Sequence, residues 1–504
     1  MSQINNKQIA INTVFLYIRM LVVMAIGLYT VRAYLSILGE TDYGLYNVVG
    51  GVVSMFAFLN GTLATSSQRY FSQALVHDDK QLINRVFCLN LTIFLILIIA
   101  IVIILETIGL WFLNNEMTIP TERIEAANIV YQISILTFAI QMITISYNAL
   151  IISHEKMKAF AYIGILEAVL KLGFVFVLAQ LSFDKLVSYS LFMFLLYLLI
   201  AGIYVYYCIH NFEESYFKFY WNKQEAKEML SFSGWHLYGT FSVTIRSQGI
   251  NILLNLFFNP AINAARAVAF QVYNAVSQLS NNFFTAVKPQ IYKSYEADEK
   301  DALYKLVLRS TTMSSFLLSL LVFPILSNTP YILGLWLKEI PPYTVVFTQL
   351  VLINGMVDVT NGPTIATVLA TGKIRNYEII VGGLFILNLP ISYIALKFGS
   401  EPTMTMLISI ALAIVVTFVR ALIMCRMIGF NFYKYVIMLA RLCLASAFIW
   451  VFTEYTVSNT ADSFITLIWQ SLFICIITFI FYALIACNKE DLAIAINFIK
   501  RRIK

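Results

Sequence analysis

Long apolar runs broken by short polar clusters recur fourteen times along the 504 residues, at approximately 9–35, 45–68, 86–112, 128–152, 160–180, 186–209, 230–257, 264–288, 306–330, 343–370, 379–397, 403–425, 433–453 and 463–486. Each is close to or above the ~20 residues that a helix needs to cross ~30 Å of hydrocarbon at 1.5 Å per residue. The residues inside the runs do not alternate as barrel strands do. A lipid-exposed backbone must satisfy its own hydrogen bonds, so the pattern predicts helices throughout. The fold class is therefore an all-α polytopic membrane protein with about 14 transmembrane helices.

Composition supports the same class. Hydrophobic residues make up 60% of the chain, charged residues only 12%, and mean hydropathy is +0.79. A soluble domain carries about 25% charged residues, so half that share leaves too little polar surface to cover a water-soluble body of this size. The net charge of +7 is spread through short connections rather than gathered on one patch, which argues against a nucleic-acid binder. The odd-numbered connections hold five basic residues (Arg123, Lys185, Arg266, Lys338 and Lys397), and the even-numbered side, termini included, holds 23. The positive-inside rule then puts both termini in the cytoplasm, as an even number of crossings requires. Lys7 precedes the first run, but that run is too long for a signal-peptide core and no cleavage site closes it, so no leader is expected.

The longest connection, 210–229, mixes charge with aromatics and reads as a cytoplasmic amphipathic linker. It divides the chain into an N-lobe of helices 1–6 (1–209) and a C-lobe of helices 7–12 (230–428), followed by helices 13–14 and an amphipathic cytoplasmic tail (429–504). An internal repeat supports two related halves. Lys-x-basic-x-aromatic recurs at Lys156 and Lys373, 217 residues apart, and Gln-x-Tyr-x-Ser recurs at Gln68 and Gln290, 222 residues apart. Duplicated halves with a site at their interface are a transporter architecture.

Enzyme signatures are missing. Thr371-Gly372-Lys373 lacks the leading glycine and the Ser/Thr of a phosphate-binding loop, and neither HExxH nor GxSxG occurs. The six cysteines lie in or beside apolar runs with no metal spacing to the four scattered histidines, so no metal site is expected and the cysteines read as small buried hydrophobes. With no soluble lobe to house an ATPase, transport must draw on an ion gradient or on the substrate's own gradient.

Charges inside the apolar runs carry the remaining information, because each costs about 2.5–3.5 kcal/mol near a helix centre and so faces a bundle interior or a wet cavity. Arg19 and Arg246 each lie in the first helix of a half with no acid nearby in sequence. They are candidates to line a cationic cavity, where a guanidinium fork suits a pair of phosphate oxygens. Arg32 and Arg266, toward the outer ends of helices 1 and 8, join that cavity or serve as interfacial anchors. Arg420 and Arg441 can snorkel to the cytoplasmic surface. Glu167 and Lys171 are spaced to pair on one helix turn, either for structure or along a pathway. Asp358 sits just before Asn361-Gly362-Pro363, where Gly-Pro interrupts the helix and frees carbonyls. It is either a hydrogen-bonded residue at a kink or a coupling and gating residue, together with Asn361 and Pro363. Asn274, Gln278 and Asn281 share one face of helix 8, and Asn251 and Asn255 lie on helix 7. These amides suit a sugar path or helix packing.

Four features then carry a family resemblance. They are Asn12-Thr13-Val14 leading into helix 1, Leu38-Gly39-Glu40-Thr41-Asp42-Tyr43-Gly44-Leu45-Tyr46 after it, the Gly372-Lys373-Ile374-Arg375 exit of helix 10, and the twelve-plus-two helix count. With these the chain resembles the Wzx-type polysaccharide flippases of the MOP superfamily, relatives of the lipid II flippase and of MATE antiporters. The resemblance implies two six-helix lobes in a V that alternate between inward and outward openings in the bacterial inner membrane. It implies an undecaprenyl-pyrophosphate-linked repeat unit as substrate, for O-antigen and lipopolysaccharide, capsule or exopolysaccharide, with Arg19 and Arg246 in the central cavity. It allows polysaccharide polymerase and chain-length proteins as partners beside membrane lipid, with no nucleic acid. No cofactor is implied beyond coupling to H+ or Na+, for which no motif matches. A drug or metabolite antiporter of the same fold and a membrane glycosyltransferase are the competing readings. The short outer loop at 113–127 lacks the acidic cluster that the second would need.

Overall fold

The computed structural model describes residues 6–486 except 55, 57, 116–118, 120, 181–182, 259, 338–339 and 457–460, and except some side chains in α1 and at the starts of α2 and α9. Arg32 is among those side chains, so its place in a cavity lies outside the described residues, as does the amphipathic tail at 487–504. Among the described residues all regular structure is helical.

The described residues form two compact units, one running up to residue 237 and one from residue 238 on. The first contains α1 (Asn6–Ser54), α2 (Phe58–Ala74), α3 (Lys80–Ile104), α4 (Leu110–Asn115), α5 (Ile124–Ser153), α6 (Met157–Gln180) and α7 (Lys185–Asn211). A π turn, Leu105–Gly109, joins α3 to α4, and Tyr131 of α5 donates to the Leu105 carbonyl at 2.8 Å. Helix α8 (Lys223–Phe257) begins in the first unit and ends in the second. The second unit continues with α9 (Pro260–Glu296), α10 (Lys300–Ser327), α11 (Thr329–Trp336), α12 (Thr344–Asp358), α13 (Asn361–Ala370), α14 (Arg375–Ile386), α15 (Asn388–Lys397), α16 (Met404–Ile428), α17 (Phe432–Thr456) and α18 (Phe464–Phe481).

Ten helical segments of the described residues are long and apolar enough to cross a membrane, and the bent pair α12–α13 makes an eleventh. The fourteen runs read from hydropathy fall short at three places. Residues 45–68 lie across the end of α1 and the start of α2, and α8 and α9 are too polar for the same test. The polar cluster at 38–46, expected to be a loop, is helical instead, because α1 continues through it. No proline falls there, and a helix absorbs Gly39 and Gly44 at about 1 kcal/mol each. Its Asp42 carboxylate accepts from Arg123 at 2.7 Å, and Arg123 also pairs with Asp184, the residue whose side chain caps the first turn of α7. The motif thus ties three connections together. The break foreseen at Gly362-Pro363 is present, with a 40° bend between Asp358 and Asn361.

The connection after α7 is docked, not free. Asn84 of α3 donates to the carbonyls of Glu214 and Tyr216, each at 2.8 Å, and Lys80 pairs with Glu213 at 2.6 Å. Glu214 is buried and its Oε1 meets His154 Nε2 at 2.6 Å, while the His154 ring stacks on Phe212. Burial raises the Glu214 carboxyl, but the His154 hydrogen bond and its other polar partners outweigh burial and hold it below the usual glutamate range. A depressed folded-state pKa contributes stability above the unfolded value and loses it as pH falls through the folded one. Glu214→Gln is therefore expected to cost about 1.5–3 kcal/mol near neutral pH. The gap to wild type should close as pH drops below the glutamate range near 4.3. Thermal unfolding in detergent at pH 7 and at acid pH checks both halves of that statement.

Candidate functional site

The mid-helix arginines of the two units are held in the same way. In the first unit the Arg19 guanidinium of α1 lies 4.2 Å from the centroid of the Phe160 ring of α6. In the second the Arg246 guanidinium of α8 lies 4.5 Å from that of Phe385 of α14. Each unit thus holds a cation on an aromatic face, although the residue that the sequence repeat pairs with Phe160 is Tyr377 and not Phe385. Such a contact stabilises a desolvated guanidinium by about 2 kcal/mol and leaves its N–H edge free to donate.

Around Arg19 the first unit gathers further polar groups. Glu167 and Lys171 form their i,i+4 pair at 2.6 Å, and Lys171 reaches Tyr197 of α7 at 3.4 Å. Tyr34 donates to the Lys171 carbonyl at 2.8 Å, and Asn148 of α5 donates to Tyr204 Oη at 3.3 Å. Arg19 lies in the electrostatic field of the Glu167 carboxylate. Among the described residues it has no acid within ion-pair distance, and its buried Nε has no hydrogen-bond partner. Gly164 makes room for it, since a Cβ there would stand 2.3 Å from Arg19 Nε. Gly164→Ala is thus expected to push Arg19 off Phe160 and to destabilise the protein by about 1–3 kcal/mol, as overpacking does. In an Arg19→Ala background the same substitution should be nearly neutral, a coupling that a double-mutant cycle on thermal unfolding reads directly.

The second unit holds an acid as well. Asp358, the last residue of α12, accepts from Asn354 at 2.8 Å and sits in the fields of Arg246 and Arg420. It lines a cavity of about 100 Å³ with Ser277, Ser280, Asn281, Ser314 and the rings of Tyr273 and Phe284. Ser314 Oγ is buried with no partner among the described residues. Gly355 admits the Tyr273 ring, whose Cε2 would meet a Cβ there at 2.1 Å. Across the break, Asn361 donates to Thr417 of α16 at 2.9 Å, and Thr360 closes on the Val357 carbonyl at 2.7 Å. The Val357 carbonyl at the bend thus accepts from the Thr360 side chain as well as from its N–H. Pro363 is buried in the first turn of α13.

Arg420 corrects the sequence reading. It does not snorkel: it is buried, and its guanidinium is 5.3 Å from the centroid of the same Phe385 ring. Two arginines thus share one phenylalanine beside Asp358. Arg266 is also interior, stacked 4.6 Å from Phe270 and donating to Asn251 Oδ1, so it is no interfacial anchor. Arg69, one of the 23 basic residues on the even-numbered side, is buried on α2 against the rings of Tyr70 and Phe232.

The amide face of α9 is where its spacing put it. Gln271, Asn274, Gln278 and Asn281 are exposed, and the opposite face buries Ala269, Val276 and Ser280. Asn255 of α8 is exposed too, while Asn251 is partly buried against Arg266. A helix with such a face cannot present it to hydrocarbon, where each unsatisfied polar group costs several kcal/mol.

The fold is that of a known class of membrane transporter. The structure of an outward-facing multidrug resistance MATE family transporter of the MOP superfamily superposes with a TM-score of 0.71 at 15% identity, over 83% of this chain and 95% of that one. A MATE in the bent conformation gives 0.69 at 17% identity, over 86% and 96%. A MOP superfamily transporter from Pyrococcus furiosus, for which reversed polarity of the binding pocket suggests a different function, gives 0.68 at 16%, over 83% and 95%. At these identities the likeness shows the MATE-like fold. No curated protein matches the sequence. The model of the polysaccharide biosynthesis protein family matches residues 9–295, more than half of the chain, and the chain belongs to that family, as the resemblance read from its motifs implied.

Proposed function

We propose that the protein is a flippase that carries undecaprenyl-pyrophosphate-linked oligosaccharide repeat units across the bacterial inner membrane by alternating access, with both termini cytoplasmic. The observation that carries this reading is the exposed amide face of α9, in a chain of the polysaccharide biosynthesis family. Neutral amides offer donors and acceptors to a hydroxylated sugar without holding it too tightly to release. Arg19 and Arg246, poised on Phe160 and Phe385, supply the cationic part for the pyrophosphate. A hydrated sugar pyrophosphate does not cross hydrocarbon unaided, so a wet polar groove with the lipid tail left in the bilayer is what the chemistry demands. Arg266 and the Glu167–Lys171 pair position the helices that carry the groove. Asp358 couples movement to an ion gradient, with Asn361 and Pro363 fixing the bend on which it sits.

Purified protein in liposomes containing a lipid-pyrophosphate-linked oligosaccharide should speed exposure of the head group to an outside-only probe. No acceleration by folded protein with any such lipid overturns the reading. One observation favours a cation-coupled antiporter of small molecules instead: the acid Asp358 lines a small cavity together with the rings of Tyr273 and Phe284. Counterflow of an organic cation, without headgroup flipping, would establish that alternative.

A further inference from the structure

Away from these groups the second unit contains a larger cavity, about 480 Å³, between α10 and α17. That volume falls in the ~300–1,000 Å³ range of small-ligand sites. Four basic side chains line it, Lys305 and Arg309 from α10 and Lys434 and Arg441 from α17, against a single acid, Asp301. The spacing is that of two helix faces turned toward each other. Residues 301, 305, 308, 309 and 312 form one stripe, and 434, 437, 438 and 441 form the other. Both stripes lie in the first turns of their helices, so the helices run side by side in the same direction, away from the side that carries the basic connections. Arg441 is nine residues past Phe432, about 14 Å along the axis. The cations therefore span the headgroup layer and the start of the acyl region. Leu308, Ile437 and Met438 give the same cavity an apolar wall.

Two features fix the chemistry of an occupant. The basic excess asks for an anion, and Arg309 and Arg441 offer guanidinium forks that fit phosphate oxygens. The apolar wall asks for a molecule whose other end is hydrocarbon. The positive ends of both helix dipoles add to the preference for negative charge. A free phosphate leaves the apolar wall unused. The chain's own segment after Ala486 carries five basic residues against two acids, so its charge opposes binding there. We propose that this cavity holds the phosphate head group of an acidic phospholipid from the leaflet on the basic side, with one acyl chain lying along Leu308, Ile437 and Met438. Basic pockets between membrane helices are suited to that task.

The test uses the full-length protein and reads lipid binding, so it stands whether or not the flippase reading does. Protein in nanodiscs of phosphatidylcholine with graded phosphatidylglycerol is followed by thermal unfolding and by native mass spectrometry of the released protein. Wild type should keep a phosphatidylglycerol adduct and gain stability with its mole fraction. Lys434→Gln with Arg441→Gln, both exposed in the structure, should weaken that retention by about tenfold or more and remove the gain, with the unfolding temperature in pure phosphatidylcholine unchanged. An equal gain from glycerol 3-phosphate added to phosphatidylcholine discs would show a soluble phosphate site and overturn the lipid assignment. Equal retention by wild type and variant would overturn the site, and loss of stability in both lipids alike would assign the cations to the fold alone.

Discussion

Arg246→Ala is expected to slow headgroup translocation in proteoliposomes by about 10- to 100-fold, the loss of one charge-assisted hydrogen bond of about 1.5–3 kcal/mol. Arg19→Ala should do the same, because each of the two residues lies in the first helix of its half and rests on a phenylalanine. The Arg246 variant carries a second cost. Asp358 lies in the fields of Arg246 and Arg420 together, and removing one cation leaves a half-buried carboxylate less compensated. Arg246→Lys separates the two effects. It keeps the charge beside Asp358, and so the fold, but loses the planar fork. Its translocation rate should fall between wild type and Arg246→Ala, with a thermal unfolding midpoint near wild type. If Arg246→Lys and Arg19→Lys both flip at the wild-type rate, and Arg19→Ala does too, the arginines serve packing and the cationic cavity lies elsewhere.

What the sequence disclosed was what local spacing encodes. The amide face of α9 follows from a three-and-four spacing that any helix must honour, and the Glu167–Lys171 pair follows from the same geometry. The bend after Asp358 follows from Gly-Pro. The partners of the arginines were hidden for the opposite reason. Phe160 is one of 39 phenylalanines, and Phe385, in the middle of an apolar run, carries no mark that distinguishes it from a lipid-facing or core residue. Arg420 was misplaced because distance from a helix end says how far a side chain could reach toward water, and not which way its helix turns it. The helix through 38–46 was missed because a dip in hydropathy was read as a break in the backbone. A membrane helix can carry a polar cluster when its neighbours pair with it, as Arg123 does with Asp42.

Polarity also explains the count of spans. The runs that fail as lipid-facing helices include α8 and α9, and these carry Arg246, Arg266 and the exposed amides. Hydropathy measures how well a segment suits lipid. A transporter needs some helices that suit water and sugar better, so the helices least convincing as spans are the ones most informative about the cargo.

Asp358→Asn should abolish the response of transport to an imposed ion gradient and leave downhill equilibration within about twofold of wild type, since the substitution keeps shape and hydrogen-bonding capacity while removing the charge. The reasoning starts from cost. A carboxylate in mid-membrane is retained against about 2.5–3.5 kcal/mol of insertion penalty. The cavity beside it holds about 100 Å³ and is lined by Ser277, Ser280, Asn281 and Ser314, enough oxygen to surround a small hard cation or the waters that relay a proton. Arg246 and Arg420 bear on the same carboxylate, so a cation bound at Asp358 makes the potential at Arg246 more positive. That favours an anionic head group there, and the two events become linked as reciprocal coupling requires. Separate proton and sodium gradients across the liposome identify the ion, because wild type should answer to one of them. Full gradient response in Asp358→Asn would return the residue to the bend, where the Asn354 hydrogen bond alone accounts for it.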